Sequence, residues 1–205
     1  MNHTDLKTRE NILLAGKEEF LKKGFHHASL RNIVKSAGVT TGAFYGYYKN
    51  KEALFDALVQ EQKQHFLYCF EKAQRDFANL PPQQQPENMG EISGSCMLNL
   101  LEYMYENMES FQLLLCCAEG TKHSGFLDTL VEIEVAGTHQ FMNVLKQMGH
   151  PIKEIDLQLE HMLISGMFGA FFETVIHNMP KERAVHYIKE LKEFYMAGWQ
   201  KILGL

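Results

Sequence analysis

Between Ser29 and Lys51 the sequence sets Arg31, Lys35, Thr40, Thr41, Tyr45, Tyr47 and Lys49 on a short stretch that holds no Asp or Glu. Guanidinium, ammonium and hydroxyl groups donate hydrogen bonds to phosphate oxygens and base edges, and the missing carboxylates remove the repulsion a phosphate backbone would otherwise meet. The chemistry this stretch suits is nucleic-acid contact. A second group is apolar and soft: Met97, Leu101, Met104 and Cys116, followed by Phe126, Phe141, Phe168 and Phe172. Such side chains suit an adaptable ligand pocket, or equally the core of a helical bundle. Glu134 falls on or beside the apolar stripe of Leu127, Leu130, Phe141, Leu145 and Met148, where it either pairs with a cationic ligand or reaches water from the helix edge. Glu119/His123 and Glu173/His177 have the i, i+4 spacing of two metal ligands, but no third ligand accompanies either pair, so no metal or cofactor is expected. The chain contains no GxSxG, HExxH or phosphate-cradling glycine loop, so an enzyme is not expected.

Spacings of three and four recur almost throughout, and period-2 alternation bounded by turns is absent, which predicts an all-α fold of about nine helices. The first helix is predicted over 4–23, with Gly24 as its C-terminal cap and Gly16 marking a close approach by another backbone. Ser29 and Thr40 cap two short helices, 30–37 and 41–47, joined at Gly38-Val39. Ile33, Ala37, Val39 and Phe44 are spaced to pack them across that turn, the outline of a helix-turn-helix. Asn50 caps a long helix that ends before the Pro81–Pro86 stretch, read as a loop. Further helices are predicted at 90–108, 111–119, 124–149, 153–178 and 180–203, with Ser110 and Ser124 as caps and Pro180 as a first-turn residue.

At 205 residues and 45% hydrophobic content the chain can bury a core. Its net charge of -5 is unevenly spread: residues 1–60 hold nine Lys/Arg against six Asp/Glu, and the remainder is strongly acidic. This pattern fits a small nucleic-acid-binding head on an acidic body. The longest charge-free apolar run, 162–172, falls well short of the roughly 20 residues that cross a bilayer, and Asp5 and Glu10 interrupt the stretch a signal peptide would need. Four cysteines without CxxC spacing suit a reducing compartment, and a cytoplasmic protein away from membranes is expected.

Thr8-Arg9-Glu10-Asn11-Ile12-Leu13 through Phe20 and Gly24-Phe25, then Ala37 to Tyr45 and Tyr47-Tyr48 before Asn50-Lys51-Glu52-Ala53-Leu54, resembles the DNA-binding domain of the TetR family of bacterial transcriptional regulators. The resemblance implies a DNA-binding domain over 1–50 and a helical ligand-binding and dimerisation domain over 51–205. By resemblance the protein is a homodimeric regulator, most often a repressor, released from a palindromic double-stranded operator by a small apolar or amphipathic effector. A helical small-molecule sensor or interaction protein that does not read DNA is the alternative. Carried over by position, Ser29 and Lys51 would hold phosphates at helix starts, and Tyr45 and Tyr47 would donate to phosphates. Thr40, Thr41 and Gly42 open the recognition helix, and Arg31 would grip a base. Gly46 stands where many members carry a larger side chain, which leaves more to DNA shape. Dimerisation through the last two helices would use Leu159, Met162, Gly166, Gly169 and Ile176 on one, and Ile188, Tyr195 and Trp199 on the other.

Overall fold

The computed structural model describes residues 3–204 and, among them, only helices: α1 (His3–His27), α2 (Leu30–Ser36), α3 (Thr41–Tyr47), α4 (Lys51–Ala78), α5 (Gln85–Glu106), α6 (Met108–Cys116), α7 (Phe126–Gln147), α8 (Leu157–Ile176) and α9 (Lys181–Leu203), with one 3-10 turn at Pro82–Gln84. The expected nine α-helices are present. By contacts the chain forms two compact units, one of residues up to 64 with 107–126, the other of 65–106 with 127 onward. The first unit thus extends beyond the expected boundary at residue 50 and takes in α6.

In the first unit the turn between α2 and α3 is closed by local chemistry. Gly38 takes φ +66, which lets its amide reach Lys35 O at 3.2 Å and the Val39 amide reach Val34 O at 3.2 Å. This is the paired 6→1 and 5→2 bonding of a Schellman cap, which a Cβ at position 38 would strain. Ile33, Val34, Ala37 and Phe44 are buried behind the turn, while Val39 is half-buried. α1 breaks at Gly24, whose φ of 70 and ψ of 164 are not helical. What approaches Gly16 is the Leu54 side chain and not another backbone: a Cβ at Gly16 would lie 2.6 Å from Leu54 Cδ2.

In the second unit α5 begins earlier than expected. Gln85 is buried, and its Nε2 donates to Ala78 O at 3.3 Å and Leu80 O at 3.0 Å, so it satisfies the carbonyls at the end of α4 while starting the next helix. The Pro-rich stretch is therefore a 3-10 turn feeding a helix instead of an open loop. α8 starts at Leu157, where Asp156 Oδ1 accepts from the amides of Gln158 at 3.0 Å and Leu159 at 3.1 Å; the expected start at 153 is too early. α6 is preceded by Asn107 and not capped by Ser110, and Ser124 Oγ donates to Thr121 O ahead of α7. By length and composition α8 is apolar enough to cross a membrane; here its Ile164, Phe168, Phe171 and Phe172 are buried in the unit's core.

Candidate functional site

The helix-turn-helix exposes Arg31, Thr41, Gly42 and Tyr45 together, with Tyr45 54% exposed. Their neighbour Phe44 is fully buried and supplies the anchor that holds α3 in place. Thr40 Oγ1 accepts from the Ala43 amide at 3.1 Å, so this hydroxyl caps α3. Tyr47 is half-buried, with its hydroxyl 3.5 Å from Asp5 Oδ1. Ser29 Oγ accepts from the Asn32 amide at 3.4 Å and caps α2, as expected. The sequence reading missed Glu19: its Oε1 accepts from the Ser29 amide at 3.0 Å and from Asn32 Nδ2 at 3.2 Å, and it pairs with Lys23 at 2.8 Å. Lys23 and the Ser29 amide hold the Glu19 carboxyl below the ordinary range. An anion from the chain itself therefore already occupies part of the α2 start.

Lys51 departs from its expected role. Its Nζ donates to the carbonyls of Phe25 at 2.6 Å, Ala28 at 3.0 Å and His26 at 3.3 Å, and lies 4.5 Å from the centre of the Phe25 ring. The ammonium closes the C-terminal end of α1, and burial pulls its pKa down. Lys51 thus clamps the C-terminal end of α1 to the start of α4, which is capped separately by Asn50 Oδ1 on the Ala53 amide at 2.7 Å.

The second unit holds two adjoining clefts of about 90 Å³ each. Of the nine expected ligand residues, Met97, Glu134 and Phe141 line both. Leu101, Met104, Phe168 and Phe172 are buried in the same unit without lining either cleft, and serve as core. Cys116 and Phe126 belong to the other unit, the first exposed and the second buried. The cleft residues missed from sequence include Met89, Met167 and Gln74. Gln74 Nε2 donates to Glu134 Oε2 at 2.5 Å, and its Oε1 occupies the space a Cβ on Gly137 would need. Gly137, one turn after Glu134 on α7, thus makes room for the amide that faces the carboxyl. The acid on an apolar stripe was the available sequence signal. Burial raises the Glu134 carboxyl to about 7, against the lowering effect of Gln74. The Cys96 thiol in the same cleft is raised to about 12, by burial first and then by Glu134.

The expected dimer residues separate into two sets. Leu159, Met162, Gly166 and Ile176 are exposed on α8, Met162 at 68%, with Gly169 half-buried. On α9, however, Ile188 is only 2% exposed, and Ile188, Tyr195 and Trp199 line the second cleft, inside their own chain. α5 makes this possible: Gly94 lies under Lys192 and Gly90 under Met196, so α9 packs close against it. Gly166 faces the Tyr195 hydroxyl, at 3.3 Å from where its Cβ would be, so the close approach there is intramolecular. The exposed apolar groups of α9 are instead Tyr187 and Phe194, the latter at 71%.

The residues with expected metal spacing are otherwise engaged. His123 is buried and meets Asp56 at 2.9 Å, and His177 pairs with Glu173 at 2.7 Å on the surface.

The sequence model for bacterial regulatory proteins of the tetR family matches residues 12–58. Over 61 residues the chain is 39% identical to the uncharacterized HTH-type transcriptional regulator YdgC of Bacillus subtilis, covering 30% of this chain and 31% of that protein. Over 58 residues it is 38% identical to the HTH-type transcriptional repressor NemR of Escherichia coli, covering 28% and 29%. The chain therefore aligns with about a third of the length of these relatives. Solved structures resemble it along nearly its whole length: Salmonella enterica GusR, with a TM-score of 0.57 at 15% identity over 97% of this chain and 96% of that one, and Bacillus subtilis FadR in complex with stearoyl-CoA, at 0.55 and 18% over 92% and 98%. At those identities the likeness carries the fold alone. Taken with the geometry of α2 and α3, these matches show that residues 12–58 resemble the helix-turn-helix segment of the bacterial regulatory proteins of the tetR family, and that the chain shares the all-helical fold of these solved structures.

Proposed function

We propose that the protein is a transcriptional regulator that binds operator DNA through α2 and α3 and is released by a small molecule taken into the clefts of the second unit. The observation that carries this reading is the capped helix-turn-helix, which presents Arg31, Thr41 and Tyr45 outward within the matched segment. Arg31 and Thr41 contact bases, and Tyr45 and Tyr47 contact phosphates, with Ser29, Thr40 and Gly42 shaping the helix starts. Function as a cytoplasmic regulator and not as a catalyst agrees with the relatives' names.

The protein acts as a homodimer, which would set two recognition helices about 34 Å apart on successive major grooves and give a palindromic operator. Its interface uses the exposed α8 face of Leu159, Met162 and Ile176 with Phe194 and Tyr187 of α9. The effector regulates by preferring one arrangement of the protein over the other, because equal affinity for both shifts nothing. α4 contributes both to the head, at Leu54 and Phe55, and to the cleft, at Phe70 and Gln74.

Footprinting on the DNA upstream of the gene encoding the chain is the test, repeated with Arg31→Ala. Two protected half-sites are expected, with affinity falling steeply with salt and a preference relaxed by about 1–3 kcal/mol at one base pair in the variant. Salt-independent or absent duplex binding would remove DNA reading and favour the non-DNA sensor.

A further inference from the structure

Glu134 is a carboxyl group in a cleft lined mostly by methionine, phenylalanine and aliphatic side chains, with Ser93, Thr138 and Cys96 among them and Gln74 as its hydrogen-bond donor. Transferring an ionised carboxylate from water to such surroundings is unfavourable unless a cation or several donors face it. Among the described residues no cation pairs with it and Gln74 is the side chain seen to donate to it, while the hydroxyls of Ser93 and Thr138 line both clefts and the Lys192 ammonium lines the second. α4 presents the neutral amide of Gln74, and α5 presents the Cys96 thiol, which burial keeps protonated. α8 presents Met167. α9 presents Lys192 and the Tyr195 phenol across the second cleft, where the Lys192 stem lies over Gly94 on α5. Burial lifts the Glu134 carboxyl to about 7, with the Gln74 hydrogen bond acting against it. Aromatic rings from α4 and α7, Phe70, Phe77 and Phe141, share the first cleft with it. Ring faces attract cations and repel anions.

We infer that the effector is a compact organic cation, an ammonium group carried on an apolar ring or short chain, with its charge paired to Glu134 and its apolar part among the methionines and phenylalanines of the two adjoining clefts. The inference rests on the proposed function, since it names the class of molecule the regulator senses. Size agrees with the chemistry. A dry cavity of about 150 Å³ holds benzene, and two clefts of about 90 Å³ that share seven lining residues accommodate a ring-sized molecule. Soft Met89, Met97 and Met167 side chains repack around different apolar shapes, so the carboxylate fixes the charge and the methionines leave the shape permissive.

The test is calorimetric titration of the full chain with three probes of similar size: 2-phenylethylamine, 2-phenylethanol and 3-phenylpropionate, at pH 8 and pH 6. A primary alkylammonium, with a pKa of about 10, stays charged at both. Glu134, near 7, is mostly ionised at pH 8 and mostly protonated at pH 6. The amine is therefore expected to bind about ten-fold more tightly at pH 8 than at pH 6, and more tightly than the alcohol at pH 8. Glu134→Gln, which keeps the shape and removes the charge, should erase both differences. An alcohol that binds as well as the amine, an affinity that rises as pH falls, a preference for the carboxylate or no binding by any probe would each overturn the inference. Duplex binding by the wild-type chain, measured in parallel, separates the two claims. If the duplex binds and the amine does not, the regulator stands and its effector is of another class; if the duplex does not bind, the regulator falls whatever the amine does.

Discussion

Replacing Lys51 separates two roles that a basic residue at the edge of a DNA-binding head can play. In Lys51→Met the aliphatic stem stays over the Phe25 ring, while the ammonium that joins the carbonyls of Phe25, His26 and Ala28 is lost. A hydrogen bond from a charged donor contributes about 1.5–3 kcal/mol, and a carbonyl left without a partner costs about 1–3 kcal/mol where water cannot replace it. The site is half-buried, so water recovers part of this, and a net loss of about 2–4 kcal/mol is expected. At about 2–4 °C per kcal/mol for a chain of this size, the melting temperature should fall by roughly 5–15 °C in a circular-dichroism melt. The salt dependence of duplex binding, measured well below that melting range, should keep its slope. A phosphate-holding lysine would behave the other way: loss of one phosphate contact lowers the slope of log K against log salt by about 0.9 and leaves the melt nearly unchanged. That second pattern would refute the clamp.

Glu134→Gln should alter stability in a pH-dependent way. The folded carboxyl, near 7, lies above its unfolded value of about 4.3, so the folded state holds the extra proton between those limits and stability falls as pH rises through that window. Glutamine removes this loss, so the variant should be more stable than wild type by up to ~3 kcal/mol at pH 8 and indistinguishable at pH 4, by urea unfolding at both. Gly16→Ala gains about 1 kcal/mol of helix propensity but drives a methyl into the buried Leu54, an overpacking cost of about 1–3 kcal/mol, so a net loss is expected. Gly46→Ala, on the exposed side of α3 with nothing within 4 Å of the new Cβ, should instead stabilise by up to ~1 kcal/mol in the same melts.

What the sequence disclosed about the fold was what local chemistry controls. Ser29, Thr40 and Asn50 cap the helices they were expected to cap, because an N-cap bond spans only two or three residues. Gly38 turns the chain for an equally local reason. The errors came where a polar side chain serves a distant backbone. Gln85 is a helix start because it satisfies carbonyls of the preceding helix, and Lys51 is a clamp because three carbonyls more than twenty residues earlier in sequence converge on it. Backbone carbonyls are the same at every position, so residue types give no sign of where such partners lie. α9 teaches a related lesson: the period of Ile188, Tyr195 and Trp199 identifies the apolar face, but a second copy of the chain and α5 are equally good partners for it until Gly90 and Gly94 are recognised as the room α9 needs.

The cleft was legible through its one discordant residue. Methionine and phenylalanine fill cores and line pockets alike, so Met104, Phe168 and Phe172 could not be told from Met97 and Phe141 by type or spacing; the first three are core and the other two face the cleft. A carboxyl on an apolar stripe is different, because full burial among hydrocarbon alone is too unfavourable to tolerate. It must have water, a partner or a cavity beside it. At Glu134 the cavity and one partner amide are both present, with Gly137 one turn along to admit that amide. A single acid at helical spacing among apolar residues therefore distinguishes this cleft better than the methionines and phenylalanines around it, while the role of Gly137 three positions on emerges only with Gln74 beside it.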